Sequence, residues 1–500
     1  MARPAASDAP AVQQHPVLST GDIRSILIGI LLAMLLGALD QTIIATALPT
    51  MGRELGDVDD MPWVVTAYLL AATAVTPLYG KFSDIHGRRV ALLIAIVTFV
   101  AGSVACALAP SMLVLILARG LQGLGGGGLI SLGQTIIADM LPPRERARYQ
   151  VWIASVFMSS SLAGPVLGGF FAEHLHWSMI FWINLPLGIA AYLIAGRALK
   201  RLPRNDRPHR LDLTGAVLMA GATVTVMLGL SWGGVRMPWS APPVLGIFAA
   251  SAALWLLFAV RVAMAEEPLI PVAILKNGVV LTGTAAACFG MGTFIGLSIY
   301  LPIYFEVGLG LSSSASGLAV LPLMICTVVG ATIGGRAMSA LKHYKRVPIA
   351  GMTVAVAATV SLALGAATMP LWMVCAISGL IGAGLGTLLP VTTVAIQNAV
   401  EMHHIGTATG VMNFFRQLGG ALIVAAFGAV VLADTGAGAL AGRHGEGAGA
   451  AGLSSGELMA AFPHVFAAAA AGFVLAFAFL LAMAERPLRG RGEAPPPLAD

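Results

Sequence analysis

The chain of 500 residues is 58% hydrophobic and only 10% charged, with a mean hydropathy of +0.87. Soluble domains carry about 25% charged residues, so this composition excludes a soluble globular protein. The formal net charge of +5 is no nucleic-acid footprint, because the bases fall between apolar runs, and no nucleic-acid partner is expected.

A membrane helix needs about 20 apolar residues, and about fourteen runs of that kind follow one another along the chain. Residues 1–22 are polar and Pro/Ala-rich, and are expected to form a disordered cytoplasmic N-terminus. The first span, Ile23–Leu48, carries Asp40 about 16 residues, or roughly 24 Å of helix, beyond Arg24. An acid at that depth costs about 2.5–3.5 kcal/mol to insert. Desolvation favours its neutral form, so Asp40 reads as a proton-coupling acid or a counter-ion for a cationic substrate. An interfacial acid at the helix mouth is the alternative. Beyond a loop holding Glu54, Asp57, Asp59 and Asp60 comes the span Pro62–Tyr79.

Gly80–Arg89, the segment GKFSDIHGRR, reads as a tight basic loop before the third span, Val90–Leu108. The fourth span, Met112–Ala138, holds Arg119. A guanidinium is not cheaply neutralised and needs a partner. Asp40 is the candidate, with Gln41 or Gln122 sharing donors; bonding to helix backbone carbonyls is the alternative. Gly125–Gly128 in the same span is no phosphate loop, since it follows no strand and lacks a Gly-Lys-Ser/Thr ending. In the fifth span, Gln150–Ala172, Gly164, Pro165, Gly168 and Gly169 suit a bend or close helix packing. The sixth span is Met179–Gly196.

The basic linker Arg197–Arg210 precedes an extra pair of spans, Leu213–Trp232 and Pro243–Val262, with Asp212 as a helix cap. A second linker, Glu266–Gly278, leads to Val279–Phe305, whose outer end carries Glu306 as a possible second titrating acid or a solvated one. Ala315–Ala337 follows, ending in Gly335-Arg336 and then Lys342, Lys345 and Arg346, a degraded copy of the Gly80–Arg89 segment. The last spans are Pro348–Ala367, Leu371–Ile396, Gly406–Leu432 and Phe462–Ala484. Arg416, with Asn413 nearby, lies near mid-span with no acid close in sequence, and reads as a contact for an anionic or polar substrate group or as a brace. Gln41, Gln122 and Glu306 are further candidates for substrate or bundle contacts. The loop 433–457 is Gly/Ala-rich and reads as flexible, and 486–500 reads as a disordered cytoplasmic tail. The four cysteines, Cys106, Cys288, Cys326 and Cys375, sit far apart in apolar runs, so neither a metal site nor a disulfide framework is expected.

With the N-terminus inside, 23 of the 28 Lys and Arg residues fall on cytoplasmic segments. That asymmetry predicts both termini cytoplasmic. The domains expected are a six-helix bundle over 23–197, a linker with two inserted helices over 198–278, and a second six-helix bundle over 279–485. The fold class is therefore an all-α integral membrane protein of about 14 transmembrane helices, and two parallel six-helix halves around a substrate path is a known transporter architecture.

These segments resemble the major facilitator superfamily. Gly80–Arg89 is similar to its signature loop. Leu39-Asp40-Gln41-Thr42 with Ala47-Leu48-Pro49, Arg119 with Gln122-Gly123, and Gly164-Pro165 with Gly168-Gly169 resemble motifs of its drug:proton antiporters. Trp177, Phe181–Gly188 and Arg416–Gly420 resemble the fourteen-helix multidrug efflux branch. Ile85 stands where that family usually has a base, Val156 and Ser160 where it repeats glycine, and Glu306 where glutamine is usual.

The resemblance implies an exporter of lipophilic or cationic drugs, driven by protons through alternating access in a bacterial inner membrane, without a cofactor and as a monomer. Asp40 and Arg119 would couple protons. Gly80, Asp84, Gly87, Arg88 and Arg89 would latch the cytoplasmic side, and the Gly164–Gly169 motif would bend the fifth helix. A dedicated exporter of one metabolite, siderophore, antibiotic or lipid stays open, as does a periplasmic adaptor partner. A sensor or channel is a more distant alternative, and no nucleophile/base set points to an enzyme.

Overall fold

The computed structural model of the protein describes residues 19–56, 60–201, 211–234, 236–434 and 455–488. Among these residues, fourteen helices are long and apolar enough to cross a membrane. They are α1 (Thr20–Leu55), α2 (Met61–His86), α3 (Arg88–Ala107), α4 (Met112–Met140), α5 (Pro143–His174), α6 (Met179–Ala198), α7 (Leu213–Trp232), α8 (Pro242–Met264), α9 (Gly278–Ile303), α10 (Ser313–Ala340), α11 (Arg346–Gly365), α12 (Leu371–Ala399), α13 (Ile405–Asp434) and α14 (Ser455–Ala482). The protein is an all-helical multi-pass membrane protein.

Helix neighbours recur with an offset of eight. In the first set α2 and α3 pack on α4, and α5 and α6 pack on α1; in the second, α10 and α11 pack on α12, and α13 and α14 pack on α9. The sets meet along two seams, α2 with α13 and α5 with α10. The inserted pair α7–α8 packs together, and α7 lies against α2 and α13. At its start Asp212 caps α7 by accepting from Gly215 N at 3.0 Å, and it also accepts from Arg261 Nε of α8 at 3.0 Å.

Lipid is as apolar as leucine, so burying side chains between membrane helices gains little, and small residues that let backbones approach closely do the packing. The run Gly125–Gly128 is such a device. A side chain at Gly125 would meet Phe99 and Ala95 of α3, and one at Gly127 would meet Ala72 of α2. Outward residues such as Leu117 and Val166, 66% and 68% exposed, are left for lipid.

Three expectations are corrected. Gly80–Arg89 is not a loop: α2 continues through His86, Gly87 alone breaks the chain at φ 89°, and α3 starts at Arg88. A hydropathy run reports where hydrocarbon ends; the helix outlasts it because its backbone bonds do not depend on lipid. The N-terminal segment expected over 1–22 gives way to order at Ser19, whose hydroxyl accepts from Asp22 N at 3.2 Å while Asp22 accepts from Ser19 N, closing a capping box. The tail expected from 486 is held through Leu488. Arg486 O accepts from Tyr344 Oη at 2.9 Å, Pro487 O accepts from Asn398 Nδ2 at 3.0 Å, and Leu488 is buried. Burial and the neighbouring Glu485 push the Tyr344 phenol up to about 12. The expectations for 1–18, 435–454 and 489–500 lie outside the described residues.

Candidate functional site

The first cluster is built on five helices of the first set, α1, α2, α3, α4 and α6. Asp40 and Arg119 are each 1% exposed, and Arg119 Nη1 donates to Asp40 Oδ2 at 2.6 Å. Arg119 also donates to Gln122 Oε1 at 2.6 Å and to Val64 O at 3.0 Å, and lies 4.3 Å from the centre of the Tyr68 ring. Gln122 Nε2 donates to Asp40 Oδ1 at 2.8 Å and to Ser103 Oγ at 2.6 Å. Gly102 permits this, since a side chain there would run into the Gln122 backbone. Cys106 Sγ contacts Gln122 Oε1 at 3.6 Å.

Asn184 of α6 completes the cluster, donating to Asp40 Oδ1 at 3.1 Å and to Ser103 Oγ at 3.0 Å. Both Asp40 oxygens are thus taken by protein donors. In this arrangement the carboxylate is enclosed by its own donors. Ser103 and Asn184 were not among the sequence candidates, although a lone asparagine in the apolar stretch Trp182–Leu187 is a readable signal. Gln41 is exposed and reaches the Tyr68 hydroxyl at the edge of the cluster rather than Asp40.

The second cluster joins the two sets at the face that carries Gly87. Asp84 accepts from the α13 N-terminus: Gly406 N at 3.1 Å, Thr407 N at 2.7 Å and Thr407 Oγ1 at 2.7 Å. A helix N-terminus presents unpaired N–H groups and positive dipole, which favours a carboxylate. Arg88 Nη1 pairs with Asp84, and Arg88 Nε donates to Asp139 Oδ2 of α4 at 2.6 Å. Gly80 sits at the crossing of α2 and α13 against the Gly406 and Thr407 backbone. Arg89 departs from the expected latch: its Nε donates to Gly196 O at 2.8 Å and braces α3 on α6 within the first set. Its position is fixed by Gly87, since adjacent helical residues point about 100° apart.

The helix-bend residues face α1. A side chain at Gly164 would meet Thr42, and one at Gly168 would meet Ile43 and Thr46, whereas Gly169 has open space. Thr42 Oγ1 donates to Ser160 O across the same contact at 2.8 Å. Helix α5 runs unbroken through Pro165 from Pro143 to His174.

A third group lies toward the membrane middle along the α2–α13 seam. Asn413 Nδ2 donates to Gln134 Oε1 of α4 at 2.8 Å, and Thr73 Oγ1 donates to Gln417 Oε1 at 2.9 Å. Arg416, half-buried, stands between these cross-seam links. Glu306 belongs to none of the groups; it lies in the short π-helical turn Tyr304–Gly308 that extends α9. On the opposite face, Trp177 Nε1 donates to Glu54 Oε2 at 2.8 Å, a contact between α1 and the segment before α6 that the sequence did not suggest.

Comparison with known proteins agrees with this architecture. The chain is 31% identical over 414 residues to the multidrug transporter protein MdtP of Bacillus subtilis, covering 83% of this chain and 76% of that protein. It is 31% identical over 409 residues to multidrug resistance protein 3 of the same bacterium, covering 81% and 79%. The solved structure of the proton:xylose symporter XylE bound to 6-bromo-6-deoxy-D-glucose superposes with a TM-score of 0.62 at 15% identity, covering 93% of this chain and 96% of that one, a likeness of fold. The sequence model of the Major Facilitator Superfamily matches residues 30–424. Fourteen spanning helices, a six-helix repeat offset by eight helices and a match over most of the chain lead to one assignment: the protein belongs to the Major Facilitator Superfamily of transporters.

Proposed function

We propose that this transporter exports lipophilic small molecules in exchange for protons, by alternating access of halves 23–197 and 279–485. It would sit in a bacterial inner membrane with the Gly87 face and both termini cytoplasmic. The observation that carries this reading is the buried Asp40–Arg119 pair. It has no structural necessity in an apolar bundle, where well-packed hydrophobic residues stabilise as well or better, and it holds an acid where a proton can cancel its charge.

Protonation of Asp40 would leave the Arg119 charge among Tyr68, Phe181 and Gln122. Removing one partner of a buried pair costs about 3–5 kcal/mol, enough to shift a two-state equilibrium by two or more powers of ten. The Asp84 contact with the α13 N-terminus would hold the cytoplasmic side shut until that shift releases it. Both parts act on the same object, the equilibrium between two arrangements of the halves, so proton movement and substrate movement become coupled.

The test uses purified protein in proteoliposomes with an imposed pH gradient and a panel of lipophilic dyes. Wild type is expected to accumulate several dyes against the gradient, with a protonophore abolishing uptake. Asp40→Asn is expected to lose gradient-driven transport while retaining dye binding. Full gradient-driven transport by Asp40→Asn would refute the assigned role.

A further inference from the structure

The two intramembrane arginines are treated differently by their surroundings. Arg119 has an acid partner at 2.6 Å. Arg416, eleven residues and about 16 Å into α13 from Ile405, has no acid partner among the described residues. Its three hydrogen bonds are long: Nη2 to Thr393 Oγ1 at 3.2 Å, Nη2 to Leu389 O at 3.5 Å and Nη1 to Asn413 Oδ1 at 3.5 Å. Bonds from a guanidinium to a charged oxygen run at about 2.7–2.9 Å. Its Nε is buried with no partner. A guanidinium keeps its charge in lipid and is expensive there without a counter-ion, so the fold holds a cation whose strong partner is missing.

Its place says what that partner does. Asn413, one turn nearer the basic face, is the residue that bonds Gln134 across the seam. Gln417, next to Arg416 in the chain, bonds Thr73 of α2, a second link from α13 to the first set. An oxyanion drawing the guanidinium toward itself would release Asn413 Oδ1, an atom of the amide that bridges the halves. Asp40 does not supply the missing counter-charge, since it is taken up by Arg119, Gln122 and Asn184.

We infer that Arg416 is the binding point for a carboxylate or similar oxyanion carried by an amphipathic substrate. The fork of N–H donors takes two oxygens at once, while the aromatic or aliphatic body supplies the apolar part of the contact. This rests on the export reading above but concerns the cargo, and it replaces the cationic preference expected from resemblance. A bracing role for Arg416 is the competing account.

The test compares a carboxyl-bearing rhodamine with its methyl ester, which keeps the aromatic body and removes the anion. Binding to the purified full chain in detergent is read by fluorescence anisotropy for wild type, Arg416→Lys and Arg416→Gln. Charge-assisted hydrogen bonds are strong enough that Arg416→Gln should weaken the acid about tenfold or more, with ester binding within about twofold and Arg416→Lys in between. Equal weakening of acid and ester, or equal binding of the two by wild type, overturns the inference. Should Arg416→Gln fail to fold, the decision falls to wild type: high chloride displacing the acid and not the ester supports it, and displacement of neither overturns it. Uptake of both dyes under a pH gradient separates the two readings. Acid binding that depends on Arg416, with no gradient-driven uptake of either dye, sinks the export reading and leaves this site standing. Gradient-driven uptake indifferent to Arg416 does the reverse.

Discussion

Gly80→Ala isolates the contact between the halves from the fold of either half. A Cβ at Gly80 would lie 3.0 Å from the carbonyl carbon of Gly406 and 3.2 Å from Thr407 Cα, and closer still to Gly406 O. Carbon atoms prefer about 3.5–4.0 Å. All three atoms belong to the α13 backbone, so no rotamer relieves the clash; α2 and α13 must separate. Overpacking of this kind costs about 1–3 kcal/mol, which lowers the ratio of closed to open states by about 5- to 150-fold. Within α2 the change replaces glycine by the best helix former, so thermal stability should not fall. The assay places spin labels at His86 and Glu401, both exposed on the basic face, after replacing Cys106, Cys288, Cys326 and Cys375. Electron-electron resonance then reads the distance distribution in wild type and variant. The expected result is loss of the short-distance population with slowed transport. An unchanged distribution with unchanged transport would mean that this face does not need to close at Gly80.

Three further outcomes are expected. Asp84→Asn replaces an acceptor of three α13 donors with a group that presents its own N–H, weakening the closed state by about 1–3 kcal/mol; transport of every substrate should fall alike, and selective loss of one would contradict the assignment. Asn184→Ala removes a donor from both Asp40 and Ser103, and should depress pH-gradient-driven uptake more than dye binding in the same proteoliposomes; equal loss of both would make Asn184 a packing residue only. Gly164→Val places branches where Thr42 stands, and should lower the melting temperature in detergent and slow transport, while Gly169→Val, in open space, should leave both nearly unchanged.

Much of the architecture is legible because lipid tolerates few solutions. Each backbone group must bond within its helix, so apolar runs mark spans directly, and a charge inside one stands out. Asp40 and Arg119 could be picked out singly and matched for that reason. Partners made of backbone cannot be read the same way. Gly406 N and Thr407 N are donors that every residue but proline carries, 322 and 323 residues from Asp84, so the other side of the Asp84 contact left no mark. Arg89 braces α3 on α6 while its chemical twin Arg88 meets Asp84, and only the helix start at Arg88 separates their directions. The hydropathy drop at Gly80 similarly hid a helix that simply leaves the lipid.

The two seams are unequal in their surroundings. Helix α7 borders the α2–α13 seam, whereas the α5–α10 seam is formed by helices whose outward residues include Val166, Leu162 and Leu318, all more than half exposed. A greasy molecule dissolved in one leaflet therefore meets one flank covered by the inserted pair and one that faces lipid directly. Were cargo to enter sideways from the bilayer, the inserted pair would leave it only the second of these flanks.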